Sequence, residues 1–301
     1  MHTPVRYNMS MSRTFIRPAL AALVLSLTVA AFTYYLIHHP DTMRQLGSVS
    51  PVVLGLLFVL YGVFLSTLVW IQRATLELCD ITLGRRESFL LIMYSSIINF
   101  FGPLQSGPAF RAVYLKRRHN IKLRSYTAAT LLYYFFYALF SGLFLLTYFI
   151  GLWTLAGLLC VVVAASLTLH KFGAKFLPAR VRELRLQHAG QLAVATLAQV
   201  SVFAVIFYIE LNSLAQHVDK VATLIYTGAA NFALFVSVTP GAIGFRESFV
   251  VFTQQLHHIS SPQIVAASLI DRGVYIVFLA VLAVFIFGFH AQNYLKADIK
   301  K

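Results

Sequence analysis

Stretches of about 20 apolar residues recur along this chain, and they restrict its fold more than any other feature. Each is long enough to cross a hydrocarbon core about 30 Å thick. Because lipid offers no hydrogen-bond partners, the backbone of each stretch must bond within itself, as it does in a helix. A transmembrane β-barrel would show alternation with a period of two, whereas these runs are continuous. We therefore predict an all-α polytopic membrane protein, with residues 1–301 forming a single integral membrane domain.

Composition agrees with this class. Hydrophobic residues make up 59% of the 301 residues and charged residues 11%, whereas about a quarter of a typical soluble domain is charged. Six stretches are predicted to be full transmembrane helices: 18–37, 51–71, 126–150, 152–169, 191–211 and 264–289. The first follows three arginines, as a signal peptide would. Its apolar run of about 20 residues is too long for a typical signal peptide, so we predict a signal anchor.

The basic residues predict the topology. Twenty of the 24 lysines and arginines lie in the N-terminal segment, in the predicted loops 72–88, 111–125 and 170–190, and in the C-terminal tail. The positive-inside rule places these five segments, with both termini, on the cytoplasmic side of a cytoplasmic (inner) membrane. The segments 38–50 and 212–221 contain only two basic residues, Arg44 and Lys220, so they are predicted to lie on the outer side of the membrane. In this topology the net charge of +14 reflects the excess of basic residues on the cytoplasmic side. Nucleic acid is therefore not a predicted partner.

This topology makes two further apolar stretches enter and leave on the same side of the membrane. Residues 89–110 lie between two cytoplasmic segments, and residues 222–257 begin and end outside. The first arm of 89–110 has about 14 residues, or roughly 21 Å of helix, too short to span. Glycine and proline interrupt both stretches. We predict two re-entrant helical hairpins, with breaks at Gly102, Pro103, Gly107, Pro108, Pro240, Gly241 and Gly244.

The two hairpin regions also resemble each other in sequence. Asn99-Phe100 and Phe110-Arg111 in the first correspond to Asn231-Phe232 and Phe245-Arg246 in the second. The helices that follow, 126–140 and 264–278, align without gaps and share five identities. With opposite sidedness, this predicts an inverted-topology repeat of about 89–150 and about 222–289. Such a repeat is a transporter architecture, with its site near the midplane between broken helices.

Charged residues inside the apolar segments are the strongest candidate site. Arg246 and Glu247 follow the second break, and Asp271 and Arg272 lie about two turns into the last span. A charge at bilayer depth costs about 2.5–3.5 kcal/mol, so all four should face a protein interior or a wet cavity. In one interpretation they form two ion pairs that hold the hairpin against the last helix. In the other, the arginines bind an anionic group while the carboxylates balance or gate them.

Three further residues are candidates for substrate binding. Arg111 is the repeat counterpart of Arg246, and it is either a ligand-binding cation or a solvated loop residue. Asn99 and Asn231 can contact a ligand or satisfy backbone groups that are freed at the breaks. The structural role is favoured for both asparagines.

The sequence lacks the motifs of several common catalytic and metal sites. No phosphate-binding loop, nucleophile elbow or paired-cysteine metal spacing occurs. Cys79 and Cys160 fit no disulfide framework and are interpreted as small apolar fillers. We predict no cofactor, no metal and no catalytic residue typical of a hydrolase or ATPase.

Two sequence motifs carry a resemblance to a known family. Residues 239–247 (TPGAIGFRE), followed by residues 266–272 (AASLIDR), resemble the C-terminal signature of the lysylphosphatidylglycerol synthase transmembrane-region family. Residues 99–107, with Arg111, Tyr114 and Leu115, resemble its earlier motif. The resemblance covers essentially the whole chain. Two positions depart from the pattern: Pro108 stands where Glu is usual, and Tyr133-Tyr134 stand where an acidic residue and Arg are frequent.

The resemblance implies a role in lipid handling. The family is similar to the flippase half of the multiple peptide resistance factor, which moves aminoacylated phosphatidylglycerol between leaflets. Other members are tied to hopanoid or isoprenoid lipids or are labelled as glycosyltransferase-related. The chain lacks the soluble aminoacyltransferase domain, so it is not expected to make lysylphosphatidylglycerol by itself. Its departures from the pattern favour the second half as the site.

Three hypotheses follow. The first is a lipid translocase in which Arg246 and Arg272 neutralise a phosphate while Glu247 and Asp271 contact a cationic or hydroxylated headgroup. The second is a membrane-embedded transferase that acts on a polyprenyl-phosphate sugar, with Glu247 or Asp271 as the base. The third is a non-catalytic partner of a lipid-modifying enzyme. The predicted binding partners are membrane lipids, with an anionic headgroup expected.

Overall fold

A computed structural model describes residues 49–102, 106–151, 179–214, 217–236 and 244–298, together with isolated positions between 34 and 47, among 153–157 and at Ala242. Within these ranges every regular element is helical. The predicted spans 18–37 and 152–169 lie largely outside the described residues. So do Pro103, Pro240, Gly241 and Cys160.

The described helices follow one another in chain order. They are α1 (Pro51–Glu77), α2 (Arg85–Phe101), α3 (Ser106–His119), α4 (Leu123–Ile150), α5 (Ala179–Asn212), α6 (Lys220–Val236), α7 (Phe245–Phe252), α8 (Gln254–His257) and α9 (Ser261–Asp298). Four stretches are long and apolar enough to cross a membrane: Pro51–Glu77, Leu123–Phe149, Leu186–Asn212 and Ser261–Ile286. They coincide with four of the six predicted spans, so the all-α membrane class is confirmed. Large apolar side chains such as Val52, Phe135 and Val284 remain exposed on these helices, as contact with lipid requires.

The predicted loops 111–125 and 170–190 are partly wrong, because both contain helical residues. Helix α3 occupies Ser106–His119, where a loop was expected from residue 111, and α5 begins at Ala179, within the expected loop 170–190. Arginine and lysine do not end a helix at the membrane surface, because their long side chains reach water from a continuous helix. A run of basic residues therefore indicates a membrane boundary, but it does not indicate where a helix ends.

Helices α2 and α3 fold back on each other. Gly102 ends α2 in an extended conformation (φ −95°, ψ 152°), and its N–H donates to the carbonyl of Ile98 at 2.8 Å. Ser106 opens α3 by donating its hydroxyl to the same carbonyl. Gly107 lies in the first turn of α3, where a Cβ atom would come 2.6 Å from the Ser95 carbonyl oxygen. Only glycine permits the two helices to approach this closely.

Side chains also join the other ends of this pair. The Tyr114 hydroxyl donates to the Glu87 carboxylate at 2.7 Å, and His119 Nε2 lies 2.7 Å from the same oxygen. Burial alone raises the pKa of Glu87, but the hydrogen bonds from Tyr114 and His119 outweigh it and hold that pKa below its ordinary value. Glu87 therefore stays ionised and ties the start of α2 to the end of α3.

The second helix pair is built from α6 and α7, which pack against each other. Gly244 precedes α7 with φ 82°, a left-handed conformation that favours glycine. Its N–H donates to the Glu247 carboxylate at 2.8 Å, which satisfies one of the free N–H groups at the start of α7. Gly228 lets α6 lie directly on α4, since a Cβ there would be 2.6 Å from the Ser141 carbonyl oxygen.

The two halves pack across each other. Helix α4, which follows the first helix pair, lies against α6 of the second pair. Helix α9, which follows the second pair, contacts α2 of the first. The main hydrophobic core joins residues of both halves, including Met93 and Phe100 from the first and Tyr226 and Phe278 from the second. The polar residues of the candidate site lie where these helices meet.

Candidate functional site

A cavity of about 240 Å³ lies between the two helix pairs. Its walls come from α1 to α7 and from α9, and aromatic side chains such as Phe64, Tyr137 and Tyr275 form much of its surface. Six of the seven predicted substrate-binding residues line this one cavity: Asn99, Arg111, Asn231, Arg246, Asp271 and Arg272. The seventh, Glu247, is buried and bonded to Arg272.

Arg246 and Asp271 form the first ion pair. Arg246 Nη2 donates to Asp271 Oδ2 at 2.5 Å, and the two side chains are only 11% and 6% exposed. Asp271 also accepts a hydrogen bond from the Tyr61 hydroxyl. The guanidinium carbon of Arg246 lies 5.6 Å from the centre of the Phe207 ring, within range of a cation–π contact. The pair thus joins α7 to α9 and α1.

Glu247 and Arg272 form the second ion pair. Arg272 donates from Nη2 at 2.6 Å and from Nε at 3.1 Å to Glu247 Oε1. Ser268 donates its hydroxyl to the same oxygen. Both ion pairs of the structural interpretation are therefore present, and each carboxylate accepts several donors, as a buried charge requires.

Arg111 has a different environment from Arg246. Its Nη1 donates to the Gln72 side-chain oxygen at 3.1 Å, while its Nε is buried and finds no acceptor among the described residues. The charge of Arg111 lies within electrostatic range of the Tyr133 and Tyr134 hydroxyls. Arg111 is thus a cavity-lining cation that no described carboxylate neutralises, and it lies on helix α3 rather than in a loop.

The two asparagines both line the cavity. Asn99 accepts a hydrogen bond from the Gly107 N–H at 3.3 Å, so it satisfies a backbone group next to the first break. Asn231 accepts from the Tyr137 hydroxyl at 2.8 Å. Its Nδ2 donor is buried without a partner in the part of the chain that the structure describes. Asn99 therefore has a backbone role, and Asn231 retains a free donor at the cavity wall.

Sequence reasoning missed one charged residue next to this site. Glu210, near the end of α5, is completely buried at 0% exposure, and neither of its carboxylate oxygens has a hydrogen-bond donor among the described residues. It lies within electrostatic range of Asp271 and Arg246. The available signal was an acidic residue at the end of the predicted span 191–211, a position that is equally typical of a membrane boundary. In the described ranges, no group of three or more His, Cys, Asp or Glu residues is arranged to hold a metal ion.

A comparison with known protein families identifies the family of this chain. The family model described as lysylphosphatidylglycerol synthase TM region matches residues 19–283. The chain belongs to this family. Together with the apolar helices, the match shows a multi-pass membrane protein of a family named for a lipid-synthesising enzyme. Comparison with the curated proteins and with the solved structures returned no match.

The structure shows what surrounds one of the departures from the pattern expected for the lysylphosphatidylglycerol synthase TM region, at Tyr133. In the second half, Arg246 is neutralised by Asp271. In the repeat predicted from the sequence, Tyr133 corresponds to Asp271 and Arg111 corresponds to Arg246. Arg111 therefore has the neutral phenol of Tyr133 within electrostatic range, whereas Arg246 is paired with a carboxylate.

Proposed function

We propose that this protein moves a phospholipid or isoprenoid lipid with an anionic headgroup between the leaflets of the cytoplasmic membrane. The headgroup enters the cavity between the two helix pairs, while the tails stay in the surrounding lipid. The observation that carries this proposal is the unneutralised Arg111 in the wall of a largely aromatic cavity. A phosphate group supplies both the negative charge and the acceptor oxygens that such a guanidinium binds.

Other unsatisfied groups point to the same kind of ligand. Arg111 Nε and Asn231 Nδ2 are both buried donors without acceptors among the described residues, and both residues line the cavity. A buried donor without a partner costs about 1–3 kcal/mol. An acceptor-rich group in the cavity would remove that cost, whereas a cationic or purely apolar ligand would not.

The ion pairs change the roles expected from sequence. Arg246 and Arg272 were expected to neutralise the phosphate, but each already has a buried carboxylate partner. Using either one alone for the phosphate would leave Asp271 or Glu247 buried without its counter-ion. Arg111 is therefore the first phosphate contact, and the pairs of α7 and α9 shape the opposite wall. This moves the primary anion contact from the second half of the chain to the first.

The packing of the two halves suits alternating access. We interpret α2–α3 and α6–α7 as two re-entrant hairpins of an inverted repeat. Each is followed by a long helix that packs on the other hairpin. The cavity lies between the hairpins, which is where the site of an inverted-repeat transporter is expected. Movement of one hairpin with its partner helix would open the cavity to one leaflet at a time.

The transferase alternative requires an acidic base that is free to take a proton. Glu247 and Asp271 were the candidates for this role, and both are held by arginines. The geometry consequently favours translocation over group transfer.

Lipid flipping in proteoliposomes tests the proposal. Purified protein in phosphatidylcholine vesicles is given trace fluorescent phosphatidylglycerol or fluorescent phosphatidylcholine, and dithionite reduction reports the flipped fraction. We expect selective flipping of phosphatidylglycerol and a loss of about tenfold or more in Arg111→Ala, since a charge-assisted contact to phosphate contributes about 1.5–3 kcal/mol.

Lys116→Ala is the matched control, because Lys116 is an exposed cation on the same helix. It should keep the rate and selectivity of the unaltered protein. Equal rates for both lipids, or an unchanged rate in Arg111→Ala, would contradict the proposed site. Absence of flipping with either lipid, in protein that remains folded, would contradict the translocase itself.

A further inference from the structure

The cavity wall contains neutral hydrogen-bonding groups in addition to its charges. Ser96 on α2 and Tyr275 on α9 both line it, and neither hydroxyl has a hydrogen-bond partner among the described residues. Asn231 on α6 also lines it, is only 1% exposed, and has a buried Nδ2 donor without an acceptor in the described ranges. Three helices therefore present unused neutral groups to the same cavity.

The two hydroxyl groups belong to one part of the wall. The Tyr275 ring packs on the ring of Phe100 of α2, with 5.4 Å between the ring centres. Ser96 precedes Phe100 by four residues, and residues four apart lie on the same face of a helix. Both hydroxyls therefore lie where α9 contacts α2. The cavity combines these hydroxyls with a cation from α3, since Arg111 is held by Gln72 at the wall.

The carboxylates of the site are not available to a positively charged headgroup. Asp271 is the only carboxylate among the described residues that line the cavity, and Arg246 neutralises it. Glu247 is held by Arg272 in the same way. Glu210, the remaining buried carboxyl of this region, is not among the lining residues. An ammonium group in the cavity would therefore be a buried charge without an anionic partner, which is a costly arrangement.

The balance of charge separates two kinds of phospholipid. A phosphodiester brings one negative charge, which the single unneutralised cation of the described wall, Arg111, balances. An aminoacylated headgroup brings at least one positive charge into the same cavity of about 240 Å³. Aromatic faces attract cations, but they do not neutralise this charge. A hydroxyl group adds no charge, and it can both donate and accept a hydrogen bond.

We propose that the transported headgroup is a phosphodiester with one negative charge and uncharged hydroxyl groups, and that the cavity rejects headgroups with an ammonium group. This inference deepens the proposed function and rests on it, because the phosphate occupies the Arg111 contact. Ser96, Tyr275 and Asn231 bind the hydroxyl groups. Phosphatidylglycerol, phosphatidylinositol and polyprenyl-phosphate sugars share this chemistry. Lysylphosphatidylglycerol, the lipid in the name of the family, does not.

Headgroup binding can be measured without transport. Short-chain lipids are added to the purified protein in a neutral detergent, and the rise in its melting temperature gives an apparent dissociation constant. Dihexanoyl phosphatidylglycerol is compared with dihexanoyl phosphatidylmethanol, which has the same single charge and no hydroxyl group. We expect phosphatidylglycerol to bind about two- to tenfold more tightly, the factor that a neutral hydrogen bond supplies. Equal affinities would overturn the inference.

A lipid with an ammonium group tests the second half of the proposal. Dihexanoyl lysylphosphatidylglycerol keeps the phosphate and adds positive charge, so it should bind at least about tenfold more weakly than phosphatidylglycerol. Affinity equal to or higher than that of phosphatidylglycerol would overturn the rejection of cationic headgroups.

Variants that remove a hydroxyl group test the assigned contacts. Tyr275→Phe keeps the ring that packs on Tyr61 and Phe100, and Ser96→Ala removes a single oxygen atom. Each should reduce the preference for phosphatidylglycerol over phosphatidylmethanol and leave the affinity for phosphatidylmethanol unchanged. Tyr148→Phe is the control, because Tyr148 is 46% exposed on α4 and lies outside the cavity wall. An unchanged preference in both Tyr275→Phe and Ser96→Ala would overturn these contacts.

A polyprenyl-phosphate glucose with a short chain distinguishes the two sources of such a headgroup. Binding that is tighter than that of phosphatidylglycerol would identify an isoprenoid lipid as the source, and weaker binding would identify a phospholipid. In both cases Tyr275→Phe should weaken the binding of the preferred lipid by about two- to tenfold.

Arg111→Ala separates failure of this inference from failure of the proposed function. If phosphatidylglycerol and phosphatidylmethanol bind equally and both lose affinity in Arg111→Ala, the hydroxyl contacts are overturned and the proposed function stands. If neither anionic lipid stabilises the protein, or if both bind Arg111→Ala as tightly as the unaltered protein, the anion site on which both proposals depend is overturned.

Discussion

The carboxylate of Glu247 connects three groups of the site. Its carboxylate accepts hydrogen bonds from Arg272, from Ser268 and from the backbone N–H of Gly244. Through these contacts it fixes the start of α7 and attaches it to α9. Glu247 therefore stabilises the fold whether or not a ligand is bound.

Glu247→Gln should destabilise the protein by about 3–5 kcal/mol, because it leaves Arg272 as a buried charge without its partner. Thermal unfolding in detergent measures the change. Glu77→Gln removes a partly exposed carboxylate that is 3.7 Å from His188, so its effect should stay within about 1 kcal/mol. Equal melting temperatures for the two variants would contradict the structural role of Glu247.

Residue chemistry was only partly predictable from sequence. Arg246, Glu247, Asp271 and Arg272 stand out because charged residues are rare in apolar segments. Their partners do not, because the contact between Tyr61 and Asp271 joins positions 210 residues apart. Glu210 was missed because an acidic residue at the end of an apolar run is equally typical of a membrane boundary. Only the packing of α5 against α9 shows that it is buried.

At the scale of helices, glycine determines how closely the two halves pack. A Cβ atom at position 228 would come 2.6 Å from the Ser141 carbonyl oxygen and 2.8 Å from the Leu145 side chain. Gly228→Ala should therefore force α6 away from α4 and cost about 1–3 kcal/mol. Gly273→Ala is the control, because it meets no atom within 4 Å and alanine is a better helix former. Detergent unfolding should show loss of stability in the first variant alone, and equal behaviour of the two would show that α6 and α4 do not pack this closely.

The hairpin breaks show which helix ends can be predicted from the local sequence. Gly102 ends α2, as a helix-breaking residue can. Gly107 and Pro108 were grouped with the break, yet they lie in the first turn of α3. Proline is tolerated in a first turn because the N–H that it lacks would have no helical acceptor there. Sequence alone does not distinguish a proline that ends one helix from a proline that begins the next.

At the scale of the whole molecule, the re-entrant arrangement depends on topology. In a background with Cys79→Ser and Cys160→Ser, Gly84→Cys and Asn120→Cys flank the α2–α3 pair, and both should react with an impermeant maleimide only from the cytoplasmic side. Ser213→Cys, in the segment after α5, should react only from the outside. These expectations follow from the positive-inside rule. Labelling of Asn120→Cys from outside would show that the α2–α3 region crosses the membrane.

The most direct test of the central claim is to locate a lipid headgroup in the protein. A phosphatidylglycerol that carries a photoreactive diazirine beside its phosphate is cross-linked in vesicles, and the labelled peptides are identified by mass spectrometry. We expect labelling of cavity-wall residues such as Tyr133 and Phe203, and this labelling should be reduced in Arg111→Ala and unchanged in Lys116→Ala. Labelling confined to exposed apolar side chains such as Phe135 and Val284, with the cavity wall unlabelled, would contradict it.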